Sequence, residues 1–119
     1  MYVDLELDKP RRLRFDLRAI RDLEVAMGGK PIGEIVQELR QVGVTAIVSA
    51  LWAGLKHEDT SLNQNLITKI LEQHLETHSI RPVLKAIDDA LNESGLLKRA
   101  GEEPEGNAQP EPTATIESR

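Results

Sequence analysis

The chain has 119 residues, of which 39% are hydrophobic and 29% are charged, and its formal net charge is −5. This length fits one domain with a core of its own. The absence of cysteine excludes disulfides, thiolate chemistry and cysteine metal sites. The acidic balance argues against a nucleic-acid binder with a uniformly basic face. The N-terminal residues show no secretion-signal pattern.

Residues 2–15 alternate between polar and apolar side chains, which is typical of strands with one solvent-exposed face. We predict strands over about 2–8 and 11–15, joined by a turn at Lys9-Pro10 into an antiparallel hairpin. A two-stranded hairpin is not stable alone, so its apolar face should pack on helices. That face consists of Val3, Leu5, Leu7, Leu13 and Phe15.

Basic residues cluster between Lys9 and Arg21. Arg12 and Arg14 share the polar face of the second predicted strand, opposite the acidic face of the first. This placement favours cross-strand charge pairs. A site for a phosphate or an acidic partner is the alternative interpretation of the same run.

Two short amphipathic helices are predicted next. Asp16 is a suitable N-cap for the first, over Leu17–Met27, and Gly28-Gly29 ends it. Pro31 fits the first turn of the second, over about 31–41. The predicted inward-facing residues are Leu17, Ile20, Leu23 and Val25 or Met27 in the first helix, and Ile32, Ile35, Val36 and Leu39 in the second.

The segment from Gly43 to Leu62 is the most apolar part of the sequence and ends in the charged run Lys56-His57-Glu58-Asp59. With Thr45 as N-cap, its large apolar side chains form one helical stripe and small residues cover much of the remaining surface. We therefore predict the buried central helix of a small α domain. The segment is too short to span a membrane, which needs about 20 apolar residues.

Two further helices complete the predicted domain. The fourth is capped by Ser61 or Asn63 and runs to about His78, and the fifth begins at Ser79 to Pro82 and ends at Gly95. Their predicted inward-facing residues are Leu66, Ile67, Ile70, Leu71 and Leu75, and Val83, Leu84, Ile87 and Leu91.

The predicted fold is mainly α: a compact bundle of about five helices with an N-terminal β-hairpin, over residues 1–97. Residues 98–119 are rich in proline and glutamate and contain Ile116 as their only large apolar side chain. Such a segment cannot form a packed core, so we expect a disordered acidic tail.

No motif in the sequence predicts a catalytic, cofactor or metal site. His74 and His78 have the spacing of a two-histidine metal pair, but a third ligand would have to be Glu76 or His57 and no H-E-x-x-H motif is present. His57-Glu58-Asp59 is interpreted as a polar helix end rather than an acid–base cluster. Gly28-Gly29-Lys30 lacks the rest of a phosphate-loop pattern. We expect a protein that is not an enzyme.

Two segments stand out in the order of these features: R-L-R-F-D-L-R-A-I-R-D-L-E-V-A-M-G-G and, after a short amphipathic helix, A-L-W-A-G-L-K-H-E-D-T-S-L. This arrangement resembles the small tail assembly chaperones of long-tailed (siphovirus-type) phages and prophages, including the related tail component of gene transfer agents. The resemblance covers about residues 5–95. The motif residues are Phe15, Leu23, Leu51, Trp52, Gly54, Leu55, His57, Glu58 and Asp59.

The resemblance implies a non-enzymatic chaperone in the cytoplasm of a bacterial host. Such a protein binds the tape-measure protein, keeps it soluble until the tail tube polymerises around it, and can contact tail tube protein through a frameshifted extension. We expect self-association, and neither nucleic acid nor membrane as a partner. The candidate partner-binding residues are Ile32, Ile35, Val36, Ile80, Val83 and Leu84.

Three alternatives remain open at the level of sequence. The first is a structural minor tail protein that is retained in the virion. The second is a small helical DNA-binding regulator that uses the basic run Lys9–Arg21, although no recognition helix rich in Arg, Asn and Gln is visible. The third is a metal enzyme built around His57, His74 and His78.

Overall fold

The structure is a computed structural model that describes residues 2–96. Within this range the predicted fold class is confirmed: an antiparallel two-stranded hairpin precedes five helices. The elements are β1 (Val3–Glu6), β2 (Pro10–Leu13), α1 (Leu17–Ala26), α2 (Ile32–Arg40), α3 (Val44–Leu55), α4 (Gln64–Leu75) and α5 (Arg81–Glu93). The predicted tail, residues 98–119, lies outside the described residues. None of the helices just named is long and apolar enough to cross a membrane.

Helix α3 is the centre of the fold. Nine of its twelve residues are buried, and it packs against β2 and all four other helices. Small side chains between its large apolar ones let neighbouring elements approach closely, as the sequence predicts. The predicted cap is wrong: the helix begins at Val44 after Gly43, and no side chain caps it. Thr45 is instead an exposed residue of the first turn.

The hairpin lies on α3 and α5 with Leu5, Leu13 and Phe15 buried. Its strands are shorter than predicted, and Glu6 pairs with Pro10 at the end next to the turn. Proline is tolerated there because it is the first residue of an edge strand, where no ladder donor is needed. The turn therefore lies between β1 and Pro10, and not at Lys9-Pro10 as predicted.

Side-chain and glycine caps fix the helix ends. The Asp16 carboxylate accepts a hydrogen bond of 2.8 Å from the backbone N–H of Ala19, as predicted for α1. Asn63, rather than Ser61, caps α4, and its side chain accepts from the N–H of Leu66 at 2.8 Å. After α1, Gly28 and Gly29 adopt φ angles of 75° and 91°, which only glycine adopts readily.

Three leucine side chains predicted to face inwards are exposed: Leu17 (74%), Leu66 (38%) and Leu75 (44%). Of the alternatives Val25 and Met27, Met27 is buried and Val25 is exposed (73%). On α1 the buried stripe consists of Ala19, Ile20 and Leu23 and continues to Met27. Val25 follows Leu23 by two residues, about 200° around the helix, so the two cannot share a face. Helix α4 ends at Leu75, three residues before the predicted end, and leaves that leucine at its open end.

The turn that follows α2 contains a β-branched residue, Val42, in the left-handed conformation. Val42 has φ of 59°, and its N–H donates to the carbonyl of Leu39 at 3.0 Å while the Gly43 N–H donates to Glu38 at 2.8 Å. These two bonds form a Schellman motif, in which the left-handed position usually holds glycine. The chain has its glycine one residue later, so Val42 bears the strain.

We expect Val42→Gly to raise the free energy of unfolding by about 1 kcal/mol, because it removes the left-handed strain of a β-branched residue. Urea denaturation measures the change. Val44→Gly is the matched control, since Val44 is also exposed but lies in the first turn of α3. There the same change should lower stability by a few tenths of a kcal/mol. If both variants lost the same free energy of unfolding, the conclusion that Val42 is strained would be wrong.

Candidate functional site

The six candidate partner-binding residues divide into two groups. Ile35 and Val83 are 0% exposed and belong to the core, so their prediction as inward-facing residues is confirmed and neither side chain is accessible to a partner. Both sit on the stripes that α2 and α5 turn towards the rest of the domain. The other four are half-buried and pack on the edge of the core: Ile32, Val36, Ile80 and Leu84.

Two of these four residues meet at a groove between α2 and α5. Val36 comes from α2 and Leu84 from α5, and the groove has a volume of about 380 Å³. Its lining combines an apolar floor with a charged rim, and we call it the α2–α5 groove. The remaining lining residues are Leu39, Ile87 and Leu91 in the floor and Arg40, Lys85 and Asp88 at the rim.

The rim of the α2–α5 groove carries charges of both signs. Lys85 donates a hydrogen bond of 2.8 Å to Asp89, one helical turn further along α5, and this bond raises the pKa of Lys85. The lysine thus stays charged at the groove edge. An apolar floor with a mixed rim is a suitable receptor for one face of an amphipathic helix.

Gly54, in the W-A-G-L segment of α3, has a packing role. A Cβ atom on Gly54 would lie 2.8 Å from Cδ2 of Leu13 and 2.9 Å from Cζ of Phe15. The carbonyl of Gly54, near the C-terminal end of α3, accepts a hydrogen bond of 3.0 Å from the N–H of Arg14. Glycine at this position therefore lets the hairpin pack directly on the backbone of the central helix.

His57, Glu58 and Asp59, which we call the 57–59 corner, hold the same hairpin by polar contacts. Glu58 accepts from Nε of Arg12 at 2.6 Å, and this bond lowers the pKa of the carboxyl group. Nε2 of His57 lies 3.0 Å from the Arg12 carbonyl, which requires a hydrogen on that nitrogen. Arg12 faces Asp4 across the hairpin but pairs with Glu58 at 2.6 Å, and Arg14 pairs with Asp16 at 3.4 Å, so the predicted cross-strand charge pairs of these two arginines are wrong.

Arg11 is the most buried charged residue among those described, with 7% of its side chain exposed. Its guanidinium makes two parallel bonds to Asp8, at 2.8 and 2.9 Å, and lies 3.5 Å from Asp59. Hydrogen bonding from Arg11 lowers the pKa of Asp8, and the Ser61 hydroxyl is the main cause of the lowered pKa of Asp59. The corner carboxylates are therefore stabilised as anions.

The histidines do not assemble a metal site with other ligands. The rings of His74 and His78 stack with centroids 4.5 Å apart, while His57 contacts Tyr2 on the hairpin side of the domain. Between residues 2 and 96, no group of three or more His, Asp or Glu side chains is arranged to hold a metal ion.

The outer face of α1 is a surface that the sequence prediction missed. It exposes Leu17 and Val25 beside a cleft of about 530 Å³ that contains Arg18, Trp52 and Lys56. The signal was present in the sequence, because α1 has more large apolar residues than one buried stripe can hold. The described surface thus offers this face and the α2–α5 groove as candidate binding sites.

Comparisons with known protein families, with curated proteins and with solved structures find no match for this chain.

Proposed function

We propose that the chain is a tail assembly chaperone of a long-tailed phage or prophage, which binds the tape-measure protein and keeps it soluble until the tail tube forms. One observation supports the binding site: Val36 and Leu84, from separate helices, line one apolar-floored groove. The resemblance of residues 5–95 to that family supports the identity of the partner.

The proposed mechanism requires that apolar surface of the partner is buried, and it involves no catalysed reaction. A tape-measure protein presents long apolar stripes on helices, which associate with one another when they are left in water. The α2–α5 groove accepts one such stripe at a time, and several copies along the partner would cover it. Each copy would leave when tube subunits bury the same stripe.

We expect wild-type protein to keep a co-expressed tape-measure protein from the same gene cluster in the soluble fraction and to co-purify with it. Val36→Asp and Leu84→Asp should each weaken this binding by about tenfold or more, because each places an unpaired carboxylate against an apolar partner face. Val44→Asp is the matched control, since that exposed valine lies outside the groove. It should bind as wild type does.

Two results would contradict the proposal. If the partner neither binds nor gains solubility, the chaperone function is wrong. If immunoblots of purified virions detect the chain at fixed stoichiometry, it is a structural tail subunit instead. Equal binding by the groove variants and by Val44→Asp would reject the groove while leaving the chaperone function standing.

A further inference from the structure

The outer face of α1 carries two of the most exposed aliphatic side chains in the described part of the chain. Leu17 and Val25 are eight residues apart, which corresponds to about 12 Å along a helix axis. Arg18 and Arg21 lie beside them on the same outward face. Single exposed aliphatic residues are common, but these two lie within about 80° of each other around the helix, with Arg21 between them, and so form a patterned surface.

This face continues onto the central helix. Three neighbouring depressions share Asp22: one is lined by α1 alone, the second adds Trp52 and the start of α4, and the third adds Lys56. The ammonium of Lys56 lies 4.8 Å from the centre of the Trp52 ring and also pairs with Asp22. We call the combined region the α1 surface. It is formed by Leu17, Arg18, Arg21, Asp22, Val25, Trp52 and Lys56, which include three basic side chains and one acidic side chain.

The charge of the α1 surface is opposite to that of the domain. Residues 2–96 contain 12 basic and 15 acidic side chains, a net of −3. Arg18 and Arg21 have no carboxylate within 4.0 Å among those residues, whereas Lys56 is paired with Asp22. Two guanidinium groups are therefore free to bind a partner's carboxylates.

We propose that the α1 surface binds an amphipathic helix of a partner protein in which aspartate or glutamate residues border the apolar stripe. Leu17 and Val25 match apolar side chains two turns apart, about 10–12 Å, on such a helix. Arg21, which lies between these two side chains along the helix, and Arg18 match carboxylates next to the apolar stripe of the partner. A nucleic acid fits less well, since it offers no aliphatic stripe to cover Leu17 and Val25. The α1 surface and the α2–α5 groove share no residue, so this inference does not depend on the proposed function.

The single tryptophan makes the site directly measurable, because Trp52 is part of the surface. The probe is a synthetic helical peptide of about 18 residues with a leucine stripe flanked by glutamates, titrated into the full chain. We expect saturable binding with a change in tryptophan emission, and we expect the affinity to fall as the salt concentration rises. A twin peptide with lysine in place of every glutamate should bind at least about tenfold more weakly.

Charge-reversal variants locate the binding. The double variant Arg18→Glu/Arg21→Glu should bind the glutamate peptide about tenfold or more weakly than wild type does, and should bind the lysine peptide more strongly. Lys69→Glu, an exposed residue of α4 outside the surface, should change neither. The proposal is overturned if both peptides bind alike, if neither binds, or if Lys69→Glu has the same effect as the arginine changes. It is also overturned if duplex DNA, inorganic phosphate or a second copy of the chain produces the emission change at lower concentration than the glutamate peptide.

Discussion

Gly54→Val is expected to lower the free energy of unfolding by about 2–3 kcal/mol, the largest loss that we predict for a single added side chain. Leu13 and Phe15 occupy the space that the new side chain would need, and both are buried. Moving them would separate the hairpin from α3 and stretch the hydrogen bond between Arg14 and the Gly54 carbonyl. Urea denaturation followed by circular dichroism measures the loss.

Gly33 provides the matched control. It is also a helical glycine, but a Cβ built on it meets nothing within 4 Å. Gly33→Ala should therefore stabilise the protein by up to about 1 kcal/mol through helix propensity alone. Gly54→Ala gains the same propensity and should still be destabilising, since even one methyl group clashes. A stabilised Gly54→Ala variant would show that the hairpin does not pack on α3 as described.

Arg11→Met is expected to lower stability by about 1–2 kcal/mol near neutral pH, because it keeps the aliphatic stem but removes the paired bonds to Asp8. The Asp8 side chain is partly open to solvent, which keeps the expected loss below that of a fully buried ion pair. Arg12→Met is the matched control. Its guanidinium is more exposed, so its removal should have the smaller effect.

The pH dependence of the Arg11→Met effect follows from the carboxylates. Arg11 lowers the pKa of Asp8, so the pair stabilises the fold fully above the unfolded-state pKa of about 3.9. That contribution is lost as the pH falls through the lower pKa of the folded state. Urea midpoints of wild type and Arg11→Met should therefore differ at neutral pH and converge towards about pH 3. A difference that is constant over this range would assign the effect to packing instead.

Periodicity and capping predicted most of the fold, because each depends on neighbouring residues. Asp16 as a cap, the Gly28-Gly29 break and the buried central helix are confirmed. Thr45 failed as a cap because the Schellman turn at Val42 already sets the path of the chain into α3. The sequence shows that α1 has more large apolar residues than one buried stripe can hold, but that Leu17 is one of the exposed ones depends on how the helix packs and could not be predicted.

The candidate site was only partly predictable for the same reason. The sequence indicated apolar residues on α2 and α5, and two of them, Val36 and Leu84, line a common groove. Periodicity alone could not separate these from Ile35 and Val83, which are fully buried. The burial of Arg11 was also missed, because one of the carboxylates that it contacts, Asp59, comes from a segment distant in sequence.

The position of the hairpin has a consequence for synthesis of the chain. Its strands are made before the helices, yet one packs on α3 and both contact α5, the last helix described. At about 5–20 residues per second, the ribosome needs about 4–15 s to proceed from Phe15 to Leu91. During that interval Leu5, Leu13 and Phe15 have no complete surface to cover them. The hairpin thus stays partly uncovered until α5 is made, and for those seconds the nascent chain itself needs protection from aggregation.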